Sequence, residues 1–237
     1  MTTLPDNVID KPDLRDRIRV FRDRKAAGEV LADMLAPYRD SDAVILAIPA
    51  GGVPVAEPLA RALNLPLDVL VASKVLLPWT TEAGYGAVAF DGSTWINPDM
   101  VTHYGLDEAT VEAGINAARQ KVARRVKRFR GNRPFPDLRG RTVILVDDGL
   151  AAGSTLRAAL TALRNQGAEH IVIAVPTGHL ESVRQLAGEV DKLYCPNIRG
   201  GFSYAVADAY QNWTDVSEEE VETILERLNN CSEFPDS

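Results

Sequence analysis

Several features are scarce or missing in this chain, and each absence excludes a class of protein. Its 237 residues include only two cysteines, Cys195 and Cys231, which are too few for a disulfide framework. Acidic residues outnumber basic ones by 33 to 26, and the formal net charge of -7 argues against a dedicated nucleic-acid binder. No apolar run approaches the length of a membrane span. We therefore expect an ordinary globular protein of the cytoplasm.

Familiar catalytic and binding motifs are missing as well. The three histidines, His103, His170 and His179, show no HxxxH or HExxH spacing for a metal. There is no GxSxG nucleophile elbow and no GxGxxG after a strand, and no Lys precedes Ser154 as a P-loop requires. These absences exclude the common zinc-protease, serine-hydrolase, dinucleotide-binding and P-loop sites.

The most informative segment of the chain reads VILVDDGLAAGST and runs from Val143 to Thr155. Its first four residues are apolar and mostly β-branched without alternation, which predicts a central parallel strand covered on both faces. Asp147 and Asp148 follow at the carboxyl end of that strand, where open α/β sheets bind their ligands. The two acids and the loop after them indicate a ligand with sugar hydroxyls and a phosphate.

A loop of small residues follows the two acids and leads into a helix predicted to begin near Gly153. Small residues leave backbone N–H groups accessible, and the N-terminus of a helix attracts anions. Ser154 and Thr155 add hydroxyl donors, so the loop suits a phosphate monoester. The alternative is an ordinary strand-to-helix loop in which an Asp caps the helix. The order of strand, acid pair and Gly-Ser-Thr favours the phosphate site.

Strand and helix patterns alternate along most of the chain. Strands are predicted at residues 43–48, 67–72, 85–90, 142–146 and 170–175, with a short one at 192–195. Amphipathic helices are predicted at 22–38 and 218–228, the second with Ser217 as its N-cap and Glu220 completing a capping box. This alternation predicts an α/β fold with a predominantly parallel sheet.

The segment from Val143 to Thr155 resembles the signature with which type I phosphoribosyltransferases bind phosphoribosyl pyrophosphate (PRPP). The resemblance implies that Asp147 and Asp148 contact the ribose hydroxyls and that the loop after them holds the 5′-phosphate. The loop residues implied are Gly149, Ala151, Ala152, Gly153, Ser154 and Thr155. Many relatives have Thr where this chain has Ala152, so one side-chain donor is missing and backbone donors would replace it.

A second unit of strand, loop and helix, AVILAIPAGGVPVAEPLARAL, has the same order as TVILVDDGLAAGSTLRAAL. Its Pro-Ala-Gly-Gly loop is predicted to expose N–H groups at Gly51, Gly52 and Val53. The loop resembles the pyrophosphate loop of the family, so the two units predict a site for a ligand with phosphates at both ends. Many relatives have a basic residue at the position of Ala50, and its absence weakens the expected grip on pyrophosphate.

A lysine and a lid are predicted after the second strand. A lone Lys at a strand end is commonly a solvated charge, but the position of Lys74 matches the family's basic residue that meets pyrophosphate. Residues 75–84 resemble the family's flexible loop, which closes over the reacting centre and excludes water. The lid residues predicted on this basis are Trp79, Thr81 and Glu82. A packing role for Trp79 is the alternative.

Two further segments carry distinctive side chains. Residues 119–133 hold eight basic residues and no acid. We favour a solvated helix face with an apolar seam at Val122, Val126 and Phe129 over a phosphate or RNA site. Residues 196–215 resemble the family's hood, which receives the acceptor, and Phe202 and Tyr204 are its predicted contacts. Packing of these aromatics against the C-terminal helix is the alternative.

The resemblance also implies a domain plan. It predicts a three-layer sandwich with a predominantly parallel central sheet plus a small hood. The expected parts are an N-terminal arm at 1–20, a phosphoribosyltransferase-like domain at 21–230 and a tail at 231–237. The hood lies at about 196–215 and the C-terminal helix at about 217–228.

The implied activity is that of a phosphoribosyltransferase in nucleotide metabolism, a glycosyltransferase that moves a pentosyl group. It displaces pyrophosphate from PRPP with a nucleobase or similar nitrogen acceptor, using Asp147, Asp148 and Lys74, with Mg²⁺ bound through PRPP rather than by the protein. Two alternatives stay open: a non-catalytic regulator that binds PRPP or a nucleotide, and a hydrolase or phosphorylase of phosphorylated sugars. The expected partners are PRPP and a small acceptor, neither nucleic acid nor a membrane, and the apolar stretches are compatible with a homodimer.

Overall fold

The computed structural model describes residues 3–81, 83–201 and 203–231, without the side chains of residues 229–231. The strands are β1 (Val8–Ile9), β2 (Val44–Ala47), β3 (Leu67–Val69), β4 (Ala72–Leu76), β5 (Gly84–Ala89), β6 (Thr94–Ile96), β7 (Thr142–Val146), β8 (His170–Ala174), β9 (Thr177–His179), β10 (Lys192–Tyr194) and β11 (Asn197–Arg199). The α-helices are α1 (Arg24–Met34), α2 (Gly52–Leu63), α3 (Pro98–His103), α4 (Glu108–Arg130), α5 (Ser154–Asn165), α6 (Leu180–Ala187) and α7 (Glu218–Cys231). Short 3-10 turns occupy Pro12–Leu14, Ala36–Tyr38 and Val206–Ala209.

The chain divides into two compact units. The first contains the described parts of Met1–Val69, Leu138–Ala152 and Ala168–Ser237, and the second contains those of Leu70–Asp137 and Gly153–Gly167. This division does not test the domain bounds expected from the sequence, which remain predictions.

The first unit is built on a sheet with the strand order β1-β10-β8-β7-β2-β3, in which each neighbouring pair is parallel. Helix α2 packs on β2, β3 and β7, α1 and α7 pack on α2, and α6 packs on β10. A separate parallel pair, β9 with β11, belongs to the same unit. The predicted α/β architecture with a predominantly parallel sheet is therefore confirmed.

Two neighbouring interior strands of the sheet, β2 and β7, are covered on both faces. All four residues of β2 are buried, and Val143, Ile144, Leu145 and Val146 of β7 have no exposed surface. Runs of apolar residues without alternation predicted this, because a strand covered on both faces has no polar side. The predicted strand at 142–146 coincides with β7, and those at 43–48, 170–175 and 192–195 each contain the observed strand.

The second unit contains an antiparallel sheet with the order β4-β5-β6, packed against α4 and α5. Its core includes Val75, Tyr85 and Val88, with Ala118 from α4. The strand predicted at 85–90 corresponds to β5, which lies in this antiparallel sheet rather than in the parallel one. Two neighbouring apolar runs do not specify whether they pair with each other or with a distant strand, and here β5 pairs with β4 and β6.

The described part of the predicted N-terminal arm is more ordered than the sequence indicated. Val8 and Ile9 of β1 pair with Leu193 and Tyr194, so part of the predicted arm is the edge strand of the sheet. A strand of two residues has too little pattern to be recognised in advance. At the other end, the backbone N–H of Glu220 donates to Oγ of Ser217 (3.1 Å), which confirms the predicted N-cap of α7.

The contact between α1 and α2 depends on a glycine, and this leads to a stability prediction. A Cβ atom added at Gly28 would overlap the carbonyl oxygen of Val55 and lie 2.5 Å from Cγ of Pro58. Gly28→Ala should therefore lower the free energy of unfolding by about 1–3 kcal/mol, the usual cost of overpacking. Denaturant unfolding of this variant measures the effect.

Gly188→Ala is the matched control for this prediction. Its added Cβ meets only the carbonyl oxygen of Gln185 at 3.5 Å, an ordinary contact, and Gly188 already has helical backbone angles. We expect its stability to match that of the parent chain. Equal stability of both variants and the parent would contradict the close packing of α1 on α2.

Candidate functional site

The carboxyl ends of β2 and β7 lie side by side in the first unit. Ala47 pairs with Val146 in the parallel register, and the N–H of Ile48 extends the ladder by donating to the carbonyl oxygen of Val146 (2.8 Å). The Pro-Ala-Gly-Gly loop follows β2, and the acid pair follows β7. The similar order of the two segments in the sequence thus corresponds to two loops at one edge of one sheet.

Gly51 and Gly52 lie directly against the acid pair. A Cβ atom at Gly51 would overlap Oδ2 of Asp148 and lie 2.5 Å from its Cγ. A Cβ atom at Gly52 would lie 2.7 Å from the carbonyl oxygen of Val146 and 3.1 Å from Cα of Asp147. Only residues without a side chain allow the two loops to approach this closely.

The carboxylate of Asp148 is paired with an arginine that the sequence did not reveal. The Nε–H of Arg24, in the first turn of α1, donates to Oδ2 of Asp148 (2.9 Å), and both side chains are largely buried, with 10% and 18% of their surface exposed. Arg24 also donates from Nη1 to the carbonyl oxygen of Thr214 (2.8 Å) and lies 3.7 Å from the centre of the Trp213 ring. No local pattern could indicate this pair, because 124 positions separate its two residues.

The backbone at Asp148 is held by a tyrosine. The O–H of Tyr210 donates to the carbonyl oxygen of Asp148 (2.6 Å), and Tyr210 is only 3% exposed. Burial raises the pKa of the Tyr210 phenol well above its ordinary value, so the group keeps its proton and remains a donor. The neighbouring Asp147 is half-buried, and its Oδ1 accepts a hydrogen bond from the N–H of Asp148 (2.9 Å).

The loop after the acids is anchored at its start and exposed at its tip. The N–H of Leu150 donates to the carbonyl oxygen of Thr177 (2.9 Å), and its carbonyl oxygen accepts from the N–H of His179 (2.8 Å). A Cβ atom at Gly149 would lie 2.7 Å from Cγ2 of Val206. The following Ala151 and Ala152 are exposed. The loop therefore presents an exposed backbone tip on a fixed base.

One expectation for the Pro-Ala-Gly-Gly loop was wrong. The N–H of Gly52 donates to the carbonyl oxygen of Ile48 (3.0 Å), and that of Val53 donates to the carbonyl oxygen of Ala50 (3.2 Å). These two donors, predicted to be exposed, are used within the loop because α2 begins there and its first turn bends back on the strand end. The peptide bond between Pro49 and Ala50 is cis.

The remaining signature residues belong to the second unit. Gly153 has the left-handed conformation (φ 79°) that favours glycine and precedes the first residue of α5, as the predicted helix start requires. Ser154 is buried and Thr155 is half-buried. Lys74 is exposed and lies inside β4, opposite Ala87, rather than after the end of a strand as the sequence suggested.

The predicted lid is a connection between two antiparallel strands. Residues 75–76 belong to β4 and residue 84 begins β5, so the part outside the strands is shorter than predicted. Trp79 is 62% exposed and meets the ring of Tyr104 edge-on at 5.6 Å between centroids. Thr81 is exposed, and Glu82 lies outside the described residues. The exposure of Trp79 argues against a simple packing anchor.

Of the two predicted acceptor contacts, Phe202 lies outside the described residues and Tyr204 belongs to a polar cluster. The O–H of Tyr204 donates to Oγ1 of Thr177 (3.2 Å), and the hydroxyl of Thr177 donates to Oδ1 of the buried Asn197 (2.7 Å). Burial raises the pKa of the Tyr204 phenol. The guanidinium of Arg199 lies 4.5 Å from the centre of the same ring. These contacts fix the Tyr204 side chain within the hood segment.

The basic segment agrees with the favoured interpretation. Residues 119–130 lie in α4, where Val122 and Phe129 are buried and Val126 is half-buried. Most of the basic side chains of the segment point to the surface, as in a solvated helix with an apolar seam; the exposed ones are Arg119, Arg124, Lys127, Arg128 and Arg133.

Two other kinds of site are not found among the described residues. None of the helices there is both long and apolar enough to cross a membrane. The same part of the chain holds no cluster of three or more His, Cys, Asp or Glu side chains suited to a metal ion.

Comparisons with known proteins identify the family. Two curated relatives from strains of Mycobacterium tuberculosis, each named "Putative phosphoribosyl transferase", are 39% identical over 212 residues, which is 90% of this chain and 48% of the relative. The chain thus spans about half the length of the curated relatives it matches. The crystal structure of TT1426 from Thermus thermophilus is 35% identical with a TM-score of 0.71, and the match covers 89% of this chain and 99% of that one.

A family model described as "Phosphoribosyl transferase domain" matches residues 21–209. This range includes both loops, the acid pair and Arg24. The signature in the sequence had predicted the same family. Since the match covers most of the chain, the chain belongs to the phosphoribosyl transferase domain family.

Proposed function

We propose that this chain transfers the phosphoribosyl group of PRPP to a nucleobase or similar nitrogen acceptor and releases pyrophosphate. The single observation that carries the proposal is the position of Asp147 and Asp148 at the carboxyl end of β7, in close contact with Gly51 and Gly52. Carboxylates at this edge of a parallel sheet suit a sugar, and small-residue loops suit phosphates. Family membership supports the same reaction.

Each part of the donor has a proposed partner. Ionised carboxylates only accept hydrogen bonds, so Asp147 and Asp148 would receive those of the ribose hydroxyls. The exposed tip at Ala151 and Ala152 would hold the 5′-phosphate through its backbone N–H groups. Gly51 would serve the pyrophosphate. A role of Lys74 with pyrophosphate and a role of residues 153–155 with the 5′-phosphate rest on the resemblance in the sequence alone.

The proposed reaction breaks the bond between the anomeric carbon and pyrophosphate and forms a bond from that carbon to an acceptor nitrogen, which loses a proton. The sugar passes through an oxocarbenium-like state, so the protein contributes mainly by positioning and by stabilising charge. Mg²⁺ is the proposed cofactor; it prefers oxygen ligands, including substrate phosphates, and when bound through PRPP it neutralises the leaving group. We also propose a cytoplasmic location, because the two cysteines are too few for a disulfide framework.

A thermal-shift screen is the first test of this function. Ligands that bind the folded state increase its free energy of unfolding, by about 2.7 kcal/mol at a hundredfold excess over Kd, and so raise its melting temperature. We expect a clear shift with PRPP and Mg²⁺, and a further shift when the correct base or its monophosphate is added. Pyrophosphate release with that base would then establish turnover. No shift with PRPP at any concentration would contradict the proposal.

A second candidate is a regulator that binds PRPP without turnover. The Pro-Ala-Gly-Gly loop favours it, because Ala50 supplies no charge and the N–H groups of Gly52 and Val53 already have partners. Such a protein would show the PRPP shift but release no pyrophosphate with any base. The same screen followed by the release assay therefore separates the two candidates.

Light scattering would measure whether the chain forms the homodimer that its apolar stretches allow.

A further inference from the structure

The start of α1 fixes the position from which Arg24 reaches the acid pair. It is the first residue of α1, whose N-cap Asp23 accepts a hydrogen bond at Oδ1 from the N–H of Ala26 (2.8 Å). The N-cap fixes the start of the helix, and so it fixes the point from which the Arg24 side chain extends. The residue as a whole is 9% exposed.

The guanidinium of Arg24 makes three different contacts in this buried setting. Two N–H groups donate to Oδ2 of Asp148 and to the carbonyl oxygen of Thr214, and the face of the group lies over Trp213. The planar fork of an arginine can make such contacts at once, whereas a lysine ammonium is a point charge on a flexible stem. A buried charge with these partners keeps one orientation.

Asp148 is consequently restrained on three sides. Arg24 binds its carboxylate and Tyr210 binds its carbonyl oxygen. Oδ2 packs so closely on Gly51 that a Cβ atom there would overlap it. A carboxylate can accept several hydrogen bonds, so its pairing with Arg24 is compatible with a further bond from a sugar hydroxyl. The restraint removes the freedom that the side chain would otherwise lose when a ligand binds.

We propose that Arg24 is a positioning residue that fixes the Asp148 carboxylate for the ribose hydroxyls of the donor, and that Trp213 and Thr214 hold its guanidinium in turn. The inference rests on the proposed function, because it takes PRPP as the ligand. It adds to that function a residue outside both loops. It also links the carboxylate at the ribose to Trp213 and Thr214, at the end of the predicted hood segment.

Arg24→Gln and Arg24→Lys test this role by calorimetric titration with PRPP and, separately, with pyrophosphate, both with Mg²⁺. Arg24→Gln should weaken PRPP binding roughly tenfold or more, the order expected when a charged hydrogen-bond partner is removed. Pyrophosphate has no ribose to contact Asp148, so its affinity should stay within about twofold of the parent. Arg24→Lys keeps the charge and should lose less PRPP affinity than Arg24→Gln. The ligand-free melting temperature shows whether each variant is folded.

Arg61→Gln is the matched control. Arg61, near the end of α2, pairs with Glu57 and its side chain is 47% exposed, and neither residue is the N-cap of α1 or part of the acid pair. Its PRPP affinity should equal that of the parent. If Arg24→Gln binds PRPP as tightly as the parent, or weakens PRPP and pyrophosphate equally, the positioning role is wrong while the proposed function stands. A parent chain that binds no PRPP would instead overturn the proposed function and this inference with it.

Discussion

Replacing Asp147 and Asp148 together by Asn is expected to abolish measurable PRPP binding. Each substitution exchanges a charged acceptor for a neutral amide at the edge where the ribose is proposed to lie. Two hydrogen bonds to charged groups are lost, which corresponds to an affinity loss of roughly 100-fold or more. Calorimetric titration with PRPP and Mg²⁺ measures it.

The single variants separate ligand binding from folding. Asp148→Asn also leaves Arg24 without its counter-charge, and breaking a buried pair costs about 3–5 kcal/mol of stability, less here because 18% of the Asp148 side chain is exposed. Asp147→Asn keeps the Arg24 pair, so it should reduce PRPP affinity with a small effect on melting. Asp42→Asn, at an exposed position before β2, is the control. PRPP binding that survives in the double variant would show that the central assignment is wrong.

Gly51→Ala is expected to reduce PRPP affinity strongly while leaving the fold intact. Gly51 has ordinary right-handed helical angles (φ −62°, ψ −31°), so alanine fits its backbone conformation. The new methyl group would instead displace the Asp148 carboxylate, which Arg24 holds from another side. Misplacement of a binding group by about 1 Å can cost on the order of 100-fold. PRPP titration measures the loss.

Gly52→Ala provides a comparison in the same loop. Its added Cβ would meet the backbone of Val146 and Asp147, which cannot move without disturbing β7. We expect the free energy of unfolding to fall by about 1–3 kcal/mol, and the melting temperature to fall further than for Gly51→Ala. If Gly51→Ala bound PRPP as tightly as the parent, the close approach of the two loops would not matter for the ligand.

The parts of the fold that were predictable depend on neighbours in the sequence. β7 matches the prediction because four consecutive residues, Val143 to Val146, carry the pattern of a doubly covered strand. The helix start at Gly153 and the N-cap at Ser217 are also local, since each depends on a few adjacent residues. The similarity of the two strand-loop-helix segments went further and indicated two loops at one sheet edge, which the register of β2 and β7 confirms.

The position of Lys74 shows what such local patterns cannot predict. The sequence placed Lys74 after the end of a strand, but it lies within β4 of an antiparallel sheet. Apolar runs indicate strands without saying which strand is the neighbour, and pairing is decided by packing over the whole chain. The N–H groups of Gly52 and Val53 show the same limit, because their use depends on how α2 meets the end of β2.

The sequence by itself determined the family and the parallel sheet, and it pointed to the acid pair and the two loops. Each of these features is specified by a short run of neighbouring residues. Only the tertiary structure decided how those residues are restrained. It brought Arg24 and Tyr210 to Asp148 and set Gly51 against the carboxylate. These contacts join segments far apart in the chain, and close packing in three dimensions, rather than local pattern, selects such partners.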